Sequence, residues 1–147
     1  MSMNNNVNID KKETAASAEK IDRIVICDDD KDIVRALQIY LSNRNYELLC
    51  AYTGREALDF VKKGDVSLVL LDIMMPEMDG YEATERIRRL NRKDARTIPI
   101  IAMTANAFTE DKIRSKAAGM NEHIAKPLNT ELVLQAVAKL VQPPVVD

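Results

Sequence analysis

Histidine occurs once in this chain, tryptophan not at all, and cysteine only twice. A lone histidine, His123, has no partners for a catalytic triad or a transition-metal site, and Cys27 and Cys50 lack metal-ligand spacing. Two thiols are also too few for a disulfide scaffold in 147 residues. Both sit in apolar runs, which predicts buried thiols in a reducing cytoplasm. The longest apolar stretches, Leu68–Leu71 and Ile100–Met103, are strand-sized and far short of the ~18 residues a membrane span needs. No positively charged start leads into an apolar core, so no secretory signal is expected. Neither charge is in excess. Lys and Arg number 21 against 23 Asp and Glu, a formal charge of −2 that gives nucleic acid or an anionic membrane no electrostatic advantage as main partner. The basic cluster Arg86, Arg88, Arg89, Arg92, Lys93 and Arg96 has no interleaved aromatics and reads as a solvated helix and loop. With a hydrophobic fraction of 46%, wholesale disorder and collagen-like fibres are excluded as well.

What remains is a chain whose hydrophobic period changes repeatedly. Residues 1–20 are polar and read as a flexible arm or linker, and Pro143-Pro144 break the final helix, leaving 142–147 as a tail. The folded unit is expected over 21–141. Strands are predicted at Arg23–Cys27, Tyr46–Ala51, Leu68–Leu71, Ile98–Met103 and Glu122–Ala125. Between them run helices: Ile33, Leu37, Tyr40 and Leu41 after an Asp30 cap, and Ala57, Phe60 and Val61 after the capping box Thr53-Gly54-Arg55-Glu56. A third carries Thr84, Ile87 and Leu90 after Asp79. A poorer segment over 107–118 ends at Gly119, and a last helix carries Leu132, Ala136, Val137 and Leu140 after Asn129. Five alternating strands and helices with short connections predict an α/β, doubly wound fold with a parallel sheet.

Ligands in such sheets bind beyond the carboxyl ends of the strands, where strand order reverses. The first strand ends in Asp28-Asp29-Asp30, the third in Asp72, the fourth in Thr104 and the fifth in Lys126. Clustered carboxylates repel unless a cation sits among them, and hard oxygen ligands suit Mg²⁺. An ammonium and a hydroxyl opposite would stabilise an anion touching that metal. A phosphoryl group fits, because it needs electrostatic clamping more than proton transfer.

D-I-M-M-P-E-M-D-G at 72–80, the acidic residues after the first strand, M-T-A at 103–105 and K-P at 126–127 together resemble the receiver domain of two-component response regulators. The match runs over about 120 residues with every landmark in order. The resemblance implies a flavodoxin-like (βα)5 fold with sheet order 2-1-3-4-5. It makes Asp72 the phosphoacceptor for a phosphohistidine on a sensor histidine kinase. Asp29 becomes a direct Mg²⁺ ligand, Asp28 the second acidic residue, and the backbone carbonyl of Met74 a third ligand beside Asp72. Lys126 would pair with the phosphoryl oxygens, aimed inward by a cis bond to Pro127, and Thr104 would report the group's arrival. Where the family carries Tyr or Phe at the second switch position, this chain has His123. That is a smaller, titratable ring, and a solvent-facing strand-edge histidine fits equally. Met74 and Asn106 hold the two variable positions that influence hydrolysis of the aspartyl phosphate, and neither is an acid or base.

Other readings weigh less. Asp28–Asp32 mimics a calcium loop, but Ile33 and Ile39 replace its turn glycine and bidentate glutamate. A haloacid-dehalogenase-type phosphatase would need D-x-D-x-T after the first strand, and the Thr is missing. A pure interaction domain would ignore phosphate altogether. The wording I-P-I-I-A-M-T-A-N-A-F and G-M-N-E-H-I-A-K-P resembles receivers of hybrid sensor histidine kinases, which are expected over a free-standing single-domain regulator. No fused DNA-binding output is expected after Val141. A histidine phosphotransfer protein is a further candidate partner, and a cytoplasmic location with no direct nucleic-acid or membrane contact is expected.

Overall fold

A computed structural model describes residues 21–42, 44–105 and 109–141, so the expectations for 1–20, 142–147 and Asn106 lie outside the described residues. Five strands, β1 (Asp22–Cys27), β2 (Tyr46–Ala51), β3 (Leu68–Asp72), β4 (Ile100–Thr104) and β5 (Glu122–Ala125), form one sheet in the order β2-β1-β3-β4-β5. Every pairing is parallel. Helices α1 (Lys31–Leu41), α2 (Gly54–Lys63), α3 (Gly80–Arg88), α4 (Thr109–Ala118) and α5 (Thr130–Val141) make the crossovers, with a short 3₁₀ turn at Asp94–Arg96.

Strand side chains alternate between faces, so one apolar run fills two cores. Val25, Cys27, Val69, Leu71, Ile100 and Ala102 pack with α2 and α3 through Ala57, Leu58, Val61, Tyr81 and Ile87. Ile24, Ile26, Leu68, Leu70, Ile101 and Met103 pack on the opposite face with Val34, Leu37 and Leu41 of α1 and Val133 and Val137 of α5. β3 and β4 are buried along their whole length, which requires helices on both faces. Among the described residues, no helix is long and apolar enough to cross a membrane.

Caps fix where the helices start. The carboxylates of Asp30 and Asp79 accept from the N–H groups of Asp32 and Glu82, at 2.9 and 2.8 Å, and Thr53 accepts from Glu56 at 3.0 Å. The return bond of the Thr53 box goes one residue further back, from Tyr52 N–H to Glu56 at 2.7 Å. Asn129 caps α5 by accepting from Leu132 at 3.1 Å. Gly119, at φ +110, closes α4 with Gly119 N–H to Lys116 and Met120 N–H to Ser115, both 3.0 Å. That bond pair is a Schellman motif.

Three details differ from the periodicity. β4 pairs from Ile100, not Ile98, because Pro99 has no N–H to give, although its carbonyl accepts from Val69 at 2.9 Å. On α2, Leu58 takes the core position while Phe60 is only half-buried. On α5 the inward stripe is Val133 and Val137, leaving Leu132 exposed. The thiols are free; Cys27 is buried but Cys50 only half so.

Candidate functional site

At the carboxyl edge of the sheet, where β2 lies on one side of β1 and β3 on the other, the strands deliver their last residues into one notch. Carboxylate oxygens of Asp28, Asp29 and Asp72 lie within 4.8 Å of one another. Asp28 is fully buried and Asp72 is 4% exposed, whereas Asp29 faces solvent. Lys126, arriving from β5, sets its ammonium 2.8 Å from Asp28 and 3.2 Å from Asp72. The Lys126–Pro127 bond is cis. Asp28 is held further by Asp30 N–H, which donates to its other oxygen at 2.9 Å. Thr104, buried at the end of β4, accepts from Lys126 N–H through its carbonyl at 2.7 Å. The sequence-predicted residues Asp28, Asp29, Asp72, Thr104 and Lys126 therefore meet at one edge.

Burial, followed by the negative charge of Asp28, pushes the Asp72 carboxyl up to about 6, against the pull of Lys126. For Lys126 the balance runs the other way. Burial favours its neutral form, but the hydrogen bond to Asp28 and the charges of Asp28 and Asp72 outweigh that and raise it above the ordinary lysine value. Three carboxylates against one ammonium leave two negative charges uncompensated. Oxygen donors carrying that charge at a partly open notch fit a hard divalent cation such as Mg²⁺, and not a soft metal.

Two further predicted residues stand apart from the notch's polar contacts. Met74 sends its side chain into solvent, 74% exposed, leaving only its backbone to serve the site. His123 is half-buried on β5, paired with Ala102.

Sequence reasoning missed two supports of this edge. Gly80 N–H donates to the Ile73 carbonyl at 2.8 Å, and a Cβ at Gly80 would lie 2.4 Å from the Asp72 carbonyl oxygen. The first turn of α3 therefore rests directly on the backbone of Asp72, a closeness only glycine allows. Arg88, read as part of a solvated basic cluster, is instead half-buried. It donates to the carbonyls of Ala95, Ile98 and Gly119 and to Asn121 Oδ1, at 2.7 to 3.1 Å. It fastens the end of α3 to the loops that lead into β4 and β5. A glycine after an Asp cap was a legible signal for the first; an arginine among arginines gave none for the second.

Residues 24–138 match the response regulator receiver domain. The chain is 36% identical over 141 residues to hybrid signal transduction histidine kinase B of Dictyostelium discoideum, covering 89% of this chain and 7% of that protein. It is also 36% identical over 120 residues to the regulatory protein VanR of Enterococcus faecium, covering 81% of this chain and 50% of that one. It thus spans half or less of both relatives. Among solved structures, the receiver domain of a sensor histidine kinase from Pseudomonas aeruginosa, with a magnesium ion coordinated in its active-site cleft, is similar at a TM-score of 0.75 and 27% identity. That likeness covers 83% of this chain and 98% of that one.

Proposed function

Because this chain belongs to the response regulator receiver domain family, we propose that it is the phosphoacceptor of a two-component phosphorelay, with Asp72 taking a phosphoryl group from a phosphohistidine. The observation that carries this reading is the ammonium of Lys126 bridging Asp28 and Asp72 beside Asp29 at the sheet's switch point.

An oxygen of Asp72 attacks phosphorus while the P–N bond to the donor imidazole breaks. The bonding pair stays on nitrogen, and neutral imidazole departs once its other nitrogen carries a proton. The product is a mixed carboxylic–phosphoric anhydride on Asp72. Attack needs the carboxylate, which predominates above a pH of about 6. Lys126 already stands against Asp72 and turns to the new phosphoryl oxygens, keeping their charge paired. Thr104, at the end of the adjacent strand, donates its hydroxyl to one of them. Asp28, Asp29, Asp72 and the Met74 carbonyl would hold Mg²⁺. When bound, the ion supplies charge neutralisation for the transferring group. Thr104 and His123, on paired strands, form the switch that relays the change to the face made by α4, β5 and α5.

The donor is the phosphohistidine domain of a sensor kinase, the setting is cytoplasmic, and the module serves in a hybrid kinase with a histidine phosphotransfer protein as onward acceptor. Coverage of 89% of this chain by a hybrid kinase supports that context. Because VanR is equally identical, phosphotransfer profiling against kinases and phosphotransfer proteins decides it. The chemistry is tested by incubating the protein with acetyl phosphate and Mg²⁺ and recording intact mass. One hydroxylamine-labile phosphoryl group is expected, absent in Asp72→Asn. An unlabelled wild type, or a labelled Asp72→Asn, would overturn the reading, and multiple turnover of generic phosphate esters would point to a phosphatase instead.

A further inference from the structure

Gly80 seats the first turn of α3 on the backbone of Asp72, and the next residue, Tyr81, is buried. Over the ring of Tyr81 lies the guanidinium of Arg114, from α4, with its central carbon 4.1 Å from the ring centroid. This is close stacking, well inside the ~6 Å range of a cation–π contact. The two side chains share a groove of about 360 Å³ between α3 and α4 that also holds Asp79, Glu82 and Glu85. Three carboxylates are thus on offer, yet among the described residues Arg114 makes no ion pair and takes the ring.

The contact matters because the Arg88 bonds to Gly119 fix only the C-terminal end of α4, and its own described side chains add little. Among its described side chains only Ser115 and Ala118 are buried, and Ile113 points outward at 65% exposure. The Ser115 hydroxyl is buried without a hydrogen-bond partner, as is that of Thr84 on α3. With so few buried groups among the described residues of α4, its position is adjustable, and the ring–cation stack is one of the side-chain contacts that tie it to α3.

We propose that Arg114 is a positioning residue for the phosphoacceptor: stacked on Tyr81, it clamps the first turn of α3 against the backbone of Asp72 and so ties the place of α4 to the geometry of the reacting carboxylate. The proposal rests on Asp72 being the acceptor. Its chain of contact is short: Arg114 on Tyr81, Tyr81 next to Gly80, and Gly80 on the Asp72 carbonyl.

The test is the rate of Asp72 phosphorylation by acetyl phosphate with Mg²⁺, measured over donor concentration in wild type, Arg114→Gln, Tyr81→Leu and the double variant. Arg114→Gln and Tyr81→Leu should each lower the saturating rate about two- to fivefold, the fold-change expected of one exposed cation–π contact. The donor concentration at half-saturation should hold. The double variant should be no slower than the slower single one, because both remove the same contact. Arg114→Lys, which keeps a cation, and Tyr81→Phe, which keeps the ring, should recover most of the rate. This also guards against reading a folding defect as a positioning effect. A saturating rate unchanged in Arg114→Gln, or losses that multiply in the double variant, would overturn the proposal while leaving Asp72 as acceptor. An unlabelled wild type would overturn the acceptor reading, and this inference with it.

Discussion

Replacing Asp72 by Asn should make the metal-free protein more stable. Burial and the neighbouring Asp28 lift the Asp72 carboxyl from an ordinary 3.8 to about 6 even with Lys126 beside it. The folded state therefore keeps a proton between those values that the unfolded chain has released. Stability attached to this group falls as pH rises through that window, and the loss is complete above about 6. At ~1.4 kcal/mol per pH unit, ionised Asp72 costs the fold roughly 3 kcal/mol at neutral pH. Asn has the shape of the protonated acid at every pH, so Asp72→Asn should recover that amount at pH 7.5 and about half of it at pH 5. For a domain of this size the gain corresponds to roughly 10 °C in Tm. Urea denaturation in EDTA at pH 5, 6 and 7.5 measures it directly. Adding Mg²⁺ at about ten times its Kd should return ~1.4 kcal/mol to the wild type and less to the variant, narrowing the gap. If Asp72→Asn is equal to or less stable than wild type at pH 7.5 without divalent cation, the electrostatic account of the notch is wrong.

Lys126→Met should abolish phosphorylation and destabilise the metal-free protein by about 3 kcal/mol, because fully buried Asp28 loses its counter-charge; urea melts and intact mass check the two effects. Gly80→Ala forces a methyl into the Asp72 carbonyl, and should cost more than ~2 kcal/mol and slow phosphorylation at least tenfold, read by the same assays. Arg88→Met strips hydrogen bonds from three carbonyls and Asn121, and should lower stability by ~2–4 kcal/mol with the labelling reaction intact. Beryllofluoride with Mg²⁺ should change amide exchange on α4, β5 and α5 more than on α1, and identical exchange with and without it would refute the switch assigned to Thr104 and His123.

The notch was legible because its chemistry sits at strand ends. Once an apolar run is recognised as a doubly covered strand, the polar residue that stops it must lie at the sheet's edge, and Asp28, Asp72 and Thr104 all stop such runs, while Lys126 follows the short, partly buried edge strand β5. The sheet order followed from the family resemblance. What the sequence could not disclose depends on contacts distant along the chain. Arg88 reaches Asn121 and Gly119 across more than thirty positions, and Arg114 finds Tyr81 across a similar gap. No local period marks either. Leu132 misled for a related reason: an apolar helix presents several possible stripes, and only the partners on α1 and the sheet select Val133 and Val137.

Because all five strands point the same way and each helix returns antiparallel to them, Ile21 before β1 and Val141 at the end of α5 emerge at the pole opposite the acidic notch. Both ends of the described fold therefore lie on one side of the sheet, a full strand length from the acidic edge. The edge proposed to receive the phosphodonor is thus clear of both Ile21 and Val141.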